Sequence, residues 1–166
     1  MIKPLSACAM MIIILISLGW VRAVTAQPSN DPVAIVRQLY GPYVTDDSPN
    51  TDGLMAIADH ATSQLRRLIQ RDRACEAREQ GICRIGFDPV IAGQDWQLNH
   101  KWPVFSVSEI PSGKKVAATF TESGRKMAVV YAFVRKGGKW LICDVSQSAA
   151  YTGGTWDLVR ILSAKM

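Results

Sequence analysis

Four side chains have the types from which an acid–base or metal site can be assembled: Asp88, Asp95, His100 and Asp144. Proton transfer would need one carboxyl with its pKa raised by burial and a partner within hydrogen-bond reach. The spacing offers little support. His60 falls in a helical pattern and His100 sits beside Lys101 in a polar stretch, so no His-x-x-x-His pair has metal-ligand spacing. No Gly-x-Ser-x-Gly occurs, and no glycine-rich loop follows a strand to cradle phosphate. Asp144 comes after Trp140 and Ile142 in alternation, and an aspartate ending a strand is ordinarily a turn or cap residue. Neither metal nor cofactor is expected, and structural roles for Asp88, Asp144 and His100 outrank catalytic ones.

The cysteines point to chemistry of another kind. Cys75 and Cys83 are close in sequence and flank Gly81, so they are the natural disulfide pair. Closing so short a loop contributes about 2–3 kcal/mol in the chain-entropy model. Cys143 lies in an apolar strand pattern and reads as a small buried hydrophobe. No Cys-x-x-Cys is present to suggest a thiol oxidoreductase or a zinc ribbon.

A disulfide requires an oxidising compartment, and the N-terminus supplies a route to one. Lys3 precedes an apolar stretch from Ala7 to Trp20, and Val24-Thr25-Ala26 places small residues before Gln27. That order of charge, apolar run and cleavage site predicts a signal peptide over residues 1–26, with a single domain over 27–166. The apolar stretch is short for a bilayer span, so no stable membrane insertion is expected after cleavage. Cys8 precedes the hydrophobic run instead of following it, which excludes a lipoprotein signal. The expected location is a bacterial periplasm or beyond. Loss of Lys3 and Arg22 lowers the net charge from +5 to +3. No basic stripe interleaved with aromatics remains, so nucleic acid is not an expected partner.

Helical spacing comes first along the chain. Asp31-Pro32 has the form of an N-cap and first helical residue, with Val33, Val36, Leu39 and Tyr40 as the apolar stripe and Gly41-Pro42 as the stop. Asp52 caps a second, longer helix through Leu54, Ile57, Ala61, Leu65, Leu68 and Ile69. Its polar end, Arg71 to Gln80, is expected to project into solvent until Gly81. From Trp102 the period changes to two. Four apolar runs are separated by Pro111-Ser112-Gly113, Glu122-Ser123-Gly124 and Lys136-Gly137-Gly138, which predicts an antiparallel meander. Its buried face is read as Val116, Ala118 and Phe120, then Met127, Val129, Tyr131 and Phe133, then Leu141, Cys143 and Val145. Thr155 to Leu162 reads as a short closing helix. The class is α+β. Trp96, Trp102, Trp140 and Trp156 are expected chiefly in the core.

Between helices and meander lies Phe87-Asp88-Pro89-Val90-Ile91-Ala92-Gly93-Gln94-Asp95-Trp96. Together with the Lys139–Val145 strand and the order of elements, this string resembles an exported bacterial family, domain of unknown function 3828. The resemblance spans Asp31 to Leu162. It implies a nuclear-transport-factor-two-like, cystatin-like fold, in which a curved antiparallel sheet wraps N-terminal helices into a cone. It implies no settled activity, although enzymes on such cones place an aspartate and a histidine in the cavity. In that family an acidic residue often stands two before the motif aspartate, where this chain has Gly86.

The expectation is therefore an exported, non-catalytic binding protein with a small-molecule ligand or an envelope protein as partner. Asp88, Gln94, Asp95 and Trp96 are the ligand-binding candidates. The alternatives are a hydrolase or isomerase using an Asp/His pair, and an immunity or inhibitor protein acting on an envelope enzyme. The surface considered for the inhibitor is the run Arg66, Arg67, Arg71, Arg73, Arg78 and Arg84, for which a solvated helix end is the simpler reading.

Overall fold

The computed structural model describes residues 30–46, 51–94, 101–122, 124–147 and 154–165. The expected signal peptide lies outside them, as do Asp95, Trp96 and His100. The α+β class holds: helices α1 (Pro32–Thr45), α2 (Gly53–Asp59) and α3 (Ser63–Glu79) precede a five-stranded antiparallel sheet, and a short α4 (Leu158–Ser163) closes it. The strands β1 (Val104–Ile110), β2 (Gly113–Glu122), β3 (Arg125–Lys136), β4 (Lys139–Gln147) and β5 (Trp156–Asp157) pair in sequence order. Among the described residues no helix is long and apolar enough to cross a membrane.

Asp31 caps α1 as its sequence predicts, accepting from the Val33 N–H at 3.2 Å. The helix does not stop at Gly41-Pro42 but runs through Pro42 to Thr45. Pro42 forfeits one backbone bond to Gln38. In exchange the last turn buries Tyr43 and Val44, and the Thr45 hydroxyl takes up the Gly41 carbonyl at 2.9 Å. Burial of two large side chains outweighs one lost bond.

The expected long second helix is two helices. At the break Ala61 forms a parallel bridge to Ile142 of β4: the Thr62 N–H donates to Ile142 O at 2.8 Å, and the Ile142 N–H to His60 O at 2.9 Å. Thr62 then caps α3 by accepting from the Leu65 N–H. Arg66 turns back on the end of α2, donating through Nε to Ala58 O at 2.9 Å and through Nη2 to Asp59 O. Satisfying those orphan carbonyls makes the break stable.

The polar end of α3 projects into solvent only in part: its last turn, Ala77 to Gln80, is exposed, but the turn before it is anchored. Asp72 and Cys75 are buried, and Arg71 Nη2 donates to Leu162 O of α4 at 2.7 Å. Arg84 Nη1 stands 3.5 Å from Asp72 Oδ1 while its Nε donates to Ala164 O. Cys75 and Cys83 are bonded, with Cα atoms 6.1 Å apart. The helix ends in a left-handed residue, but at Gln80 (φ 53°) and not at Gly81.

The predicted inward residues of β2 and β3 are all buried. On β4 the phase differs before Val145, which is buried as expected: Ile142 is buried in place of Leu141 and Cys143, and Gln147 is buried beyond it. A bulge is responsible. Ala132 pairs with Asp144 and Phe133 with Ile142, so Cys143 is the extra residue and the alternation shifts across it. Its thiol is only half-buried and donates to Ala132 O at 3.3 Å. The start of the expected closing helix is strand β5, where Ser146 pairs with Asp157. Tyr40 of α1 fills the core, its ring 6.1 Å from Phe105, 5.8 Å from Phe120 and 6.4 Å from Tyr131.

Candidate functional site

Residues 81–94, which follow α3, are fastened at several points. Among them the buried Ile85, Val90 and Ile91 join the core. The Tyr40 hydroxyl donates to Val90 O at 2.6 Å, and Phe87 packs on Trp156 with ring centroids 5.1 Å apart. Trp156 is held in turn by its Nε1–H donating to Gln147 Oε1 at 2.6 Å. Asp88 and Gly93 close the reversal by exchanging backbone bonds, Asp88 N to Gly93 O at 2.7 Å and Gly93 N to Asp88 O at 3.3 Å. The Asp88-Pro89 turn and the Gly93 reversal are therefore as the sequence suggests.

This fixed segment forms one wall of an open groove of about 620 Å³. Asp52, Gly53 and Leu54 at the start of α2 and Arg73 and Glu76 of α3 supply the facing side, while Ile82, inside the disulfide loop, sits at the rim. Apolar surface comes from Leu54, Ile82, Ile85, Phe87 and Pro89, and polar groups from Asp52, Arg73, Glu76, Asp88 and Gln94. An apolar concavity with a few convergent polar groups is the usual form of a small-molecule site.

Arg73 joins the two helices. Its Nη2 is 2.6 Å from Asp52 Oδ1 and its Nη1 2.5 Å from Glu76 Oε2. Partial burial works against its charge, but the bonds to Glu76 and Asp52 prevail and hold its pKa above the ordinary value. Asp88 is set deeper. The Tyr43 hydroxyl donates to Oδ2 and the Val90 N–H to Oδ1 at 2.8 Å. Burial raises the Asp88 pKa; the bonds from Tyr43, Val90 and Gly53 oppose that rise, and the Asp52 charge adds to it. Both carboxylate oxygens are occupied by the protein itself, so Asp88 organises the wall of the groove. Gln94 does likewise, its Nε2 donating to Gly86 O at 2.8 Å.

Asp144 belongs to a different neighbourhood. It is not a strand-end residue, lying within β4, where Oδ1 accepts from the Val145 N–H at 2.9 Å and the Val159 N–H at 3.1 Å. Burial and the carboxyl of Asp157, the cap of α4, push its pKa up to about 6. Asp144 and Asp88 share no partner, and the structure does not bring them together. His60 sits at the end of α2, its pKa lowered by burial against the pull of Asp59. Burial and the Asp144 charge raise the Cys143 thiol, so it stays protonated and weakly nucleophilic at neutral pH. Among the described residues no three His, Cys, Asp or Glu side chains are grouped to hold a metal ion.

Of the tryptophans expected chiefly in the core, Trp140 and Trp156 are half-buried against it, Trp102 is not buried, and Trp96 lies outside the described residues. Trp102 is 43 % exposed, with the Arg37 guanidinium 5.3 Å from its ring. Trp140 is half-buried beneath Lys114 and Arg135. An indole can serve at a surface when a cation covers its face. Sequence reasoning missed Asp52, Arg73 and Glu76 as groove residues. Asp52 was legible only as a helix cap, and nothing in the sequence pairs it with Arg73 across 21 positions. No family model, curated protein or solved structure matches the chain.

Proposed function

We propose that this chain is an exported binding protein of the cone-shaped family that its FDPxxxGQDW string resembles, and that its ligand is a small organic cation with an apolar body. The observation that carries the reading is the groove between α2, α3 and the 81–94 segment. Three carboxylates, Asp52, Glu76 and Asp88, line it together with a single guanidinium, that of Arg73. Arg73 is already paired with Asp52 and Glu76, so an anionic ligand approaching its remaining N–H groups would meet two carboxylates already in place. A cation adds the charge the groove lacks, while Ile82, Phe87 and Pro89 accept its apolar part. The acidic groove sits on a chain of net charge +5, so the sign belongs to the groove and not to the protein at large.

The disulfide supports export, because such bonds persist in oxidising compartments. The packing of Tyr40 against three rings of the sheet supports the wrapped, cone-like arrangement. The arginine-rich surface considered for an inhibitor is largely engaged internally, since Arg66, Arg71, Arg73 and Arg84 each bond within the fold.

Native mass spectrometry of the protein expressed from its whole reading frame and recovered from the periplasm tests this reading. An N-terminus at Gln27, one disulfide and a retained basic small-molecule adduct are expected. Retention in the cytoplasm with an intact leader, or an acidic adduct, would overturn it.

A further inference from the structure

The groove leaves one conspicuous surface unused. Five large apolar side chains are exposed among the described residues, and three lie within six positions: Trp102 (43 %), Val104 (72 %) and Val107 (49 %). They belong to β1 and its lead-in, at the end of the sheet, where no strand among the described residues pairs with its outer edge.

The β1–β2 turn fixes which backbone groups face outward. Ile110 and Gly113 pair directly across a two-residue connection, so they exchange both hydrogen bonds, and the bonded pairs continue at Ser108, Ser106 and Val104. The alternate residues Phe105, Val107 and Glu109 therefore turn their N–H and C=O groups away from β2. Between Val104 and Ser108 the strand carries no charge, no proline and no bulge, the usual protections of a free edge.

We propose that this edge is the seam of a two-fold homodimer, in which β1 pairs antiparallel with β1 of a second copy. The charges at its ends select that partner and that direction. Lys101 precedes the strand and Glu109 stands near its end, both exposed. Antiparallel pairing brings Lys101 of each copy towards Glu109 of the other, twice, whereas parallel pairing would set like charges together. Glu109 already bonds Lys114 at 2.9 Å, yet its side chain is 71 % exposed and has room for a second cation. The dimer would extend the sheet and set side chains of the second copy beside Val104 on one face and Val107 on the other.

Sedimentation velocity of the protein expressed from its whole reading frame provides the test. The wild type is expected as a dimer. Lys101→Glu should weaken association about tenfold or more by opposing two carboxylates at each end. The double variant Lys101→Glu/Glu109→Lys should restore it. Val107→Pro removes an outward N–H without touching the ladder to β2, and should give a folded monomer by circular dichroism. A monomeric wild type would overturn the proposal, as would a dimer indifferent to Lys101→Glu. Stoichiometric capture of a different protein on this edge would also overturn it.

Discussion

Asp88 Oδ1 lies only 2.1 Å from where a Cβ on Gly53 would stand, so the first turn of α2 and the Asp88 turn meet at a point where only glycine fits. The contact is with a carboxylate that is itself held by Tyr43 and Val90, and it cannot move aside without breaking those bonds. Gly53→Ala should therefore cost about 2 kcal/mol, within the range for overpacking a close contact. Urea denaturation would measure it. An unchanged midpoint would mean that the Asp88 turn is free to shift.

The Tyr43–Asp88 bond carries a pH signature. Burial raises the Asp88 pKa, and Tyr43 works against that rise by donating to the carboxylate. Tyr43→Phe should raise this pKa further. A loss felt only by the ionised form is larger at pH 7 than at pH 4, closer to the range in which the carboxyl takes up its proton. The expected cost at pH 7 is about 1–3 kcal/mol, that of leaving a buried acceptor unpaired. Denaturation at the two pH values would show it, and an equal cost at both would refute the assignment.

Asp144 should make the fold more stable as the medium becomes mildly acidic. Its folded pKa of about 6 lies above the ordinary carboxylate value, so the folded chain holds the proton more tightly than the unfolded chain. The resulting stabilisation is complete below the unfolded pKa and is lost as pH rises through 6. Asp144→Asn keeps an acceptor for the Val145 and Val159 N–H groups and removes the charge facing Asp157. It should raise stability at pH 7 by about 1 kcal/mol, allowing for solvent screening of a half-exposed group, and change little at pH 4. Unfolding free energies at both values would decide the matter.

Local signals in the sequence reach as far as local physics does. The Asp31 cap, the alternation of β2 and β3, the glycine turns and the Cys75–Cys83 pair each depend on neighbours in the chain, and each is present. The misread features depend on distant partners. The second helix breaks because Ile142, some eighty residues on, bonds to both sides of Ala61. The bulge at Cys143 reverses the face of Leu141 with no glycine to mark it. Arg71, Arg73 and Arg84 look like a solvated charged arm until α4 and Asp52 provide their acceptors. In the candidate site, Asp88 and Gln94 were legible from their motif, whereas Asp52, Arg73 and Glu76 meet only through the crossing of α2 and α3.

The central claim is that the groove selects a cation with an apolar body. Calorimetric titration with three matched probes tests it most directly: phenethylammonium, the neutral phenethyl alcohol and the anionic phenylacetate. Asp52→Asn keeps the cap of α2, and with Glu76→Gln it removes two of the three negative charges without altering shape. The account predicts that phenethylammonium binds most tightly, and that the double variant weakens it about tenfold while leaving the alcohol unchanged. Preference for phenylacetate would contradict the charge assignment. Binding of none of the three would contradict the groove as a ligand site.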